Sequence, residues 1–535
     1  MKLEPVPGIL PQKEQKIMSL ALLRDEPGYA ARAWGDAIAL VTPEAEISFR
    51  TLDSRSSALA GALVGLGLCP GDRLAILGHN SADYIAWHYA AAKAGVIFHV
   101  LNTRLARGEL QWMIDNAESS ALIVDSPFAP MAKELASKCP SLGFLVGMEG
   151  ESGLDHESNA LAAQDCECPE HGPKPDDPAL MIYTSGTTGR PKGALQSQAG
   201  SLIADQLTRE AVAITENDVY LALMPFFHQA GLIRTRATLI AGGRTAIPGK
   251  VEAMATADAI VRYGVTFTMI ASPQQNSAIR EKIQREGVGG FESLRMILGG
   301  GGTGTRATDT IRRMCEALDC TYFGVYGQTE TTGPAVYIEG PDVFERPTSC
   351  GRPFPGVEIA IWDDEKSPMP SGAVGEIMVR GPITARYWRN DEANRLLYSG
   401  DWVHTGDLGS LDEEGFLFFK GRLKELIKTG AENVYPREVE SVLENHPGIA
   451  DVAVFGLADA TWGEVVFAAV VSRTESTPTV DEIREFCRGK IGGYKIPKGI
   501  FRVETIPRNH TGKILRQSLV DQALVDQALL ERQGR

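Results

Sequence analysis

The sequence predicts an α/β protein. Its large N-terminal domain holds two doubly wound α/β subdomains and a β-rich subdomain, and a small α+β domain follows. Three observations predict it. Buried-strand and helix patterns alternate from residue 73 to about 126. The same alternation returns from 219 to 327. From about 345 the helical signal thins, and mixed α+β patterning resumes over the last hundred or so residues.

The elements follow in order. RLAILGH (73–79) reads as a buried strand and SADYIAWHYAAAKAG as a helix that stops at Gly95. VIFHVLN is a strand, RGELQWMIDNAE a helix and SALIVDS a strand, which completes a βαβαβ run. The second run begins with the strand VYLALMP and a helix through LIRTRATLIAG. VTFTMIAS, another helix, LRMILGGGG, the helix RATDTIRRMCEALD and TYFGVYG continue it. Parallel strands joined through helices imply sheets covered on both faces. GVEIAIWD and GEIMVRG are strands of the β-rich unit, and the chain shows no solenoid repeat and no low-complexity tract.

Composition narrows the function. With 535 residues, 43% of them hydrophobic, the chain is long enough for more than one core. A formal charge of -15 argues against a nucleic-acid or anionic-membrane surface, though a local basic site for a small anion is still open. MKLEPVPGILPQKEQK lacks a signal-peptide core and no transmembrane-length apolar run is present, so a cytoplasmic location is expected. Cys166 and Cys168, near His156 and His171, fit no common zinc spacing and read as an ordinary loop.

Directly after the apolar run ALMIY stands YTSGTTGRPKG, residues 183–193. A strand that runs into glycines and small hydroxyl residues can wrap an anion with backbone N–H groups and hydroxyls, and Lys192 adds a positive charge. The pattern is not the G-x-x-x-x-G-K-[ST] loop, because Pro191 holds the second glycine's place and Gly193 follows Lys192. A flexible surface loop is the alternative for this stretch alone. Other segments favour the anion site. TYFGVYGQTETTG offers an aromatic ring at Tyr326, a hydroxyl at Thr329 and a carboxylate at Glu330, suited to a base, a phosphate and a magnesium ion. DWVHTGDL places Asp407 at a turn, where it can accept both hydroxyls of a ribose, and RNHTGKILR places Lys513 after a glycine turn.

YTSGTTGRPKG, MPFFHQAG, YGQTE, HTGDLG, KGRLKELIKTGAENVYPREVE and HTGKILR, in this order, resemble the adenylate-forming superfamily of acyl-CoA synthetases, firefly luciferase and peptide-synthetase adenylation domains. The likeness runs from about residue 47 to 519. It implies a two-step ligase that uses ATP, Mg²⁺ and coenzyme A. A carboxylate attacks the α-phosphate to give an acyl-adenylate and pyrophosphate, and a thiol then displaces AMP. The resemblance implies that Thr184, Ser185, Gly186, Thr187, Thr188 and Lys192 cradle the β- and γ-phosphates and that Glu330 holds Mg²⁺. It places Tyr326 against adenine, Thr329 at the α-phosphate, and Gly301, Gly327 and Gln328 around the nucleotide. Asp407 and Arg422 hold the ribose, and Lys513 bridges the carboxylate and the α-phosphate. His228, Gly300, Gly301, Gly430 and Ala431 line the acyl and pantetheine sites. Lys424 is the hinge of a mobile C-terminal domain, which divides the chain into 1–422 and 423–535.

Other readings stand beside single members. His228 is either a packed core histidine or a gate of the acyl pocket; Glu330 suits a helix N-terminus, and Arg422 a neighbouring acid. The chain departs from the family at Ala431, where a second glycine is usual, and at Ser197-Gln198, where Thr-His is usual. The expected partners are a small carboxylic acid, ATP and coenzyme A; a homodimer is compatible with the sequence. A non-catalytic nucleotide sensor and an adenylate-former with another acceptor are the alternatives. None of the tryptophans falls in the expected acyl-pocket stretches, and Gly299 to Gly302 strip one wall of side chains, so a medium-chain fatty, aromatic or cyclic acid is expected.

Overall fold

The computed structural model describes residues 20–533 apart from 149–152, 165, 170–171, 185–190, 250–254, 271–272, 303–304, 384, 431, 460, 475 and 509–513. The first α/β run forms an eight-stranded sheet among the described residues. Its strands lie in the order Arg386–Tyr387, Lys192–Ser197, Pro178–Thr184, Ile97–Val100, Arg73–Leu77, Ala121–Val124, Phe144–Gly147 and His156–Glu157. Pairing is parallel from Pro178–Thr184 onward and antiparallel at the other edge. The chain starts at Arg73–Leu77 and builds outward on both sides, the pattern of a doubly wound sheet.

The helix expected to stop at Gly95 spans Ala82–Ala94. The Ser81 hydroxyl accepts the Tyr84 N–H at its start, and Gly95 ends it in the left-handed region at φ 71°. Its alanine-rich surface is buried from Tyr84 to Ala94, as a helix packed on all sides must be.

The strands of the second α/β run and of the β-rich unit join in one continuous sheet, a connection the sequence reading left open. Ile38–Val41, Arg244–Ala246, Val219–Leu221, Phe267–Met269, Met296–Gly300 and Thr321–Gln328 pair in parallel. From Thr321–Gln328 the sheet runs on antiparallel through Gly333–Glu339, Ser349–Pro353, Leu417–Arg422, Trp402–Leu411, Gly375–Arg380 and Glu358–Trp362. Thr321–Gln328 is the switch strand, with a parallel neighbour on one side and an antiparallel one on the other. Local pattern does not record that sharing, because each strand satisfies its own periodicity whichever sheet it joins.

A third sheet holds Ile427–Thr429, Glu432–Val434, Ile449–Asp459, Gly463–Ser472 and Gly499–Arg502. Helices Pro436–Leu443 and Val480–Cys487 cover one face, and Leu519 and Ala523 of Arg516–Gln533 pack on the other. No helix among the described residues is long and apolar enough to cross a membrane.

One apolar cluster joins the first two sheets, drawing Ile76 and Leu180 from one and Tyr220 and Phe323 from the other. Charge is buried in the helices between them. Arg236 donates from Nε and Nη2 to Asp205 at 2.7 and 3.0 Å, and its Nη1 lies 3.1 Å from His88 Nε2. The Tyr89 hydroxyl donates to Glu26 at 3.0 Å. All five side chains are buried, so one guanidinium faces two carboxyls. Burial and then Asp205 push the Glu26 carboxyl well above its ordinary range, whereas Asp205, though raised to about 6 by burial, is held down by Arg236. Glu26 therefore carries the proton and Asp205 the charge. Burial, and then Arg236, keep His88 neutral.

Asp205→Ala strands the Arg236 charge and should lower stability by about 3–5 kcal/mol in chemical denaturation. Glu26→Gln imitates the protonated acid and should cost under about 1 kcal/mol. A raised folded pKa gives Glu26 a contribution that is full below about pH 4.3 and is lost as pH rises through the folded value. Glu26→Gln should therefore flatten the decline of stability with rising pH, read from denaturation curves across a pH series.

Candidate active site

Thr184 ends the strand Pro178–Thr184 and pairs across the sheet with Lys192, so the loop between them closes on its own two ends. Ser185, Gly186, Thr187 and Thr188 lie outside the described residues. From the other sheet, Thr321–Gln328 runs into the short turn Thr329–Thr331, which carries Glu330. The Thr184 hydroxyl donates to Glu330 Oε1 at 3.1 Å. The phenol of Tyr387 donates to the same oxygen at 2.8 Å, and Lys192 Nζ lies 5.1 Å from the centre of the Tyr387 ring.

Tyr387 reaches this position because Arg386–Tyr387 crosses from the β-rich region to pair with Ala194 and Leu195 at the edge of the first sheet. Trp388 N–H donates to Gly193 O at 2.7 Å and Ala385 N–H to Glu330 O at 2.9 Å, which clips the crossing strand to both sides. Buried Gln196 adds a bond from Nε2 to Thr329 O at 3.4 Å. Burial, and next the Glu330 charge, raise the Tyr387 phenol above its ordinary value, so it remains a donor. Sequence reading missed Tyr387, because a two-residue strand has no periodicity to detect.

A second group gathers on Asp407, which is 2% exposed. Tyr326 and Gln328 alternate onto one face of their strand. The Tyr326 hydroxyl donates to Asp407 Oδ2 at 2.9 Å, and Gln328 Nε2 donates to the same oxygen at 2.6 Å. Asp407 and Arg422 are cross-strand partners, with Arg422 Nε 3.2 Å from Oδ1. Arg422 thus meets the acidic neighbour that its sequence context allowed. Burial, and then Asp407, raise the Tyr326 phenol well above its ordinary value. Gly327 admits no side chain, since a Cβ would overlap the Gly333 carbonyl.

The other expected positions are more widely spread. His228 stands directly before the helix Gln229–Ile240, half-buried, with its ring edge-on to Phe227 at 4.6 Å. Gln229 Nε2 donates to Thr332 O at 3.0 Å, which ties this helix start to the Glu330 turn. In the glycine run, a Cβ at Gly299 would overlap the Tyr322 hydroxyl and one at Gly301 would lie 2.9 Å from Cys350 Cα, whereas one at Gly300 meets nothing within 4 Å. The open wall is therefore at Gly300, and Gly301 serves close backbone packing.

Gly430, at φ 64°, turns the hairpin of the third sheet and donates to Trp462 O at 2.6 Å. Lys424 lies exposed in the turn Leu423–Glu425, directly after Arg422. Ala431 and Lys513 lie outside the described residues. Ser197 and Gln198 have structural work: the Ser197 hydroxyl caps the helix Gln198–Ala211, and Gln198 bonds Ala92 O and Arg24 N–H.

Comparison with known proteins bears on this arrangement. The family model described as AMP-binding enzyme matches residues 29–388, more than half of the chain. The chain belongs to this family. The AMP-binding enzyme C-terminal domain matches residues 438–513. The chain is 32% identical over 489 residues to the fatty acid–[acyl-carrier-protein] ligase ScoC of Streptomyces coeruleorubidus, covering 89% of this chain and 91% of that protein. It is 33% identical to the indoleacetate–CoA ligase of Aromatoleum aromaticum, covering 89% and 93%. The o-succinylbenzoate CoA synthetase of Bacillus subtilis has been solved with its acyl-adenylate (TM-score 0.80, 30% identity, 92% and 97% covered). It has also been solved with ATP and magnesium ion (TM-score 0.79, 29% identity, 92% and 98% covered). This AMP-binding enzyme is an acid–thiol ligase of the AMP-forming, adenylate-forming class.

The residues of the AMP-binding enzyme suit magnesium. Among the described residues no group of three His, Cys, Asp or Glu forms a metal cage. Magnesium bound beside a nucleotide requires none, since one or two carboxylates suffice and phosphate and water oxygens complete its shell. Glu330, with the Thr184 hydroxyl beside it, would supply such a carboxylate.

Tyr387→Phe removes one of the two hydroxyl bonds to Glu330. It should lower kcat/KM for ATP in acid-dependent pyrophosphate exchange by about tenfold, equivalent to about 1.4 kcal/mol, while circular dichroism remains unchanged.

Proposed function

We propose that this enzyme condenses a medium-chain fatty, aromatic or cyclic carboxylic acid with ATP and passes the acyl group to coenzyme A. The observation that carries this reading is the meeting of Thr184, Lys192, Glu330 and Tyr387 with the Asp407 group along one switch strand. A carboxylate and a polyphosphate repel, and reaction requires their charge to be met by fixed donors and cations. Thr184, Ser185, Gly186, Thr187, Thr188 and Lys192 receive the β- and γ-phosphates. Glu330 holds Mg²⁺, which when bound neutralises phosphate charge. Asp407 accepts the ribose hydroxyls with Arg422 beside it, Tyr326 meets the adenine, and Thr329 faces the α-phosphate.

Lys513 stabilises the charge that develops at the α-phosphate as the acid attacks. The division at 422/423 follows from a conflict of demands. Lys513 must reach the site for the first step and the Gly430–Ala431 hairpin for the second, and both belong to the unit that follows Lys424. Lys424 is the hinge between the two arrangements.

Gly300 supports an acid larger than acetate, since it leaves open space where a side chain would stand. The similarity to ligases of indoleacetate, o-succinylbenzoate and a fatty acid is consistent with that range. The carrier-protein ligase among the relatives supports a second acceptor, the pantetheine thiol of a carrier protein. AMP release across a panel of carboxylic acids, assayed with ATP, Mg²⁺ and either coenzyme A or a holo carrier protein, tests both; failure to release AMP or pyrophosphate with any acid would leave the sensor reading.

Lys513→Ala should reduce adenylation by about 10²- to 10³-fold while thioester formation from supplied acyl-adenylate stays near the parental rate. Rapid-quench assays of the separate half-reactions check this. Gly300→Trp should move the ranking of acids by kcat/KM toward short ones while adenylation of a short acid survives. Gly301→Trp should instead lower the thermal midpoint, because its Cβ meets the Cys350 backbone.

A further inference from the structure

Asp407 lies in a break in its strand pairing. Glu376 opposes Leu408, yet Met378, two residues on, opposes His404, so Thr405, Gly406 and Asp407 face Ile377 alone. A bulge of this kind turns a side chain out of strict alternation and persists only where its irregular backbone finds partners. Gly406 takes φ 66°. The Thr405 hydroxyl donates to Ile377 O at 2.7 Å and accepts the Asp407 N–H at 3.1 Å. The remaining anchor is the carboxylate of Glu376. Its Oε1 accepts the Gly406 N–H at 2.9 Å, and its Oε2 lies 2.8 Å from His404 Nδ1, whose Nε2 lies 2.8 Å from Ser399 Oγ. One side chain thus holds both the start and the middle of the bulge, and is itself only 18% exposed.

We propose that Glu376 is a positioning residue for nucleotide binding: it clamps the Thr405–Asp407 bulge so that Asp407 meets Tyr326, Gln328 and the ribose hydroxyls. The inference rests on the reading of Asp407 as ribose acceptor. Without the clamp the Gly406 N–H loses its partner, the strand relaxes toward regular pairing, and the Asp407 carboxylate swings away from the Tyr326 and Gln328 donors. Glu376 acts through Asp407, so its loss should be felt at the ribose.

The test compares ATP with 2′-deoxy-ATP in acid-dependent pyrophosphate exchange for the full chain and its variants. Glu376→Ala should reduce the ratio of kcat/KM for the two nucleotides by at least about fivefold, the scale of one hydrogen bond to a charged group. Glu376→Gln retains an acceptor for Gly406 and a donor for the other imidazole tautomer of His404, and should keep the ratio within about twofold. If Glu376→Ala does not fold, Glu376→Asp, which withdraws the carboxylate by one methylene, should reduce the same ratio. An equal loss with both nucleotides, or none, in a folded Glu376 variant overturns the inference when Asp407→Ala collapses the ratio. If Asp407→Ala leaves the ratio unchanged, the ribose assignment fails and takes this inference with it.

Discussion

Glu330 Oε1 is the atom on which the arrangement depends. It accepts a hydrogen bond from the hydroxyl of Thr184, at the end of a strand in the first sheet, and another from that of Tyr387, on a strand that crosses to that sheet from elsewhere. The carboxylate itself belongs to the turn after the switch strand of the second sheet. Three chain segments far apart in sequence therefore fix one carboxylate beside Thr184. Each bond is modest alone, but all three segments are anchored by backbone hydrogen bonds, so the carboxylate is held with little freedom left to lose.

This junction needs the two sheets to hold a constant relation. The shared apolar cluster supplies most of the adhesion, and adhesion of this kind has no direction. The ion pair of Arg236 and Asp205, with protonated Glu26 and neutral His88 around it, supplies direction, because its bonds tolerate little displacement. Such a cluster adds little net stability for the desolvation it costs, and its use here is geometric. Four helices contribute to it, Glu26–Trp34, Ala82–Ala94, Gln198–Ala211 and Gln229–Ile240.

Much of the site was legible because its residues lie in short, ordered motifs. Thr184, Lys192, Tyr326 and Arg422 lie on strands and Glu330 in the turn after one, as their motifs allow, whereas Asp407, expected at a turn, lies inside the strand Trp402–Leu411 because it pairs there with Arg422. Tyr387 and Glu376 were not legible. Tyr387 works from a two-residue strand, and Glu376 works through a bulge whose existence depends on the register of two strands. The glycine run was legible as a wall without side chains, but not which glycine faces open space. Alternation assigns 299 and 301 to one face and 300 to the other, and only the packed neighbours Tyr322 and Cys350 say which face is filled.

The sequence by itself determined the alternation of strand and helix, the helix end at Gly95, the order of the motifs and the membership in a family of AMP-forming ligases. These are local properties, set by side-chain periodicity, backbone preference and the chemistry of a few adjacent residues. Only the tertiary structure decided that the β-rich unit continues the second sheet, that Ile38–Val41 joins it from the start of the chain, and that Arg386–Tyr387 crosses to the first. Strand partnership is a long-range choice among backbones with the same hydrogen-bonding groups. It is settled by which buried surfaces fit together, and no single segment carries that information.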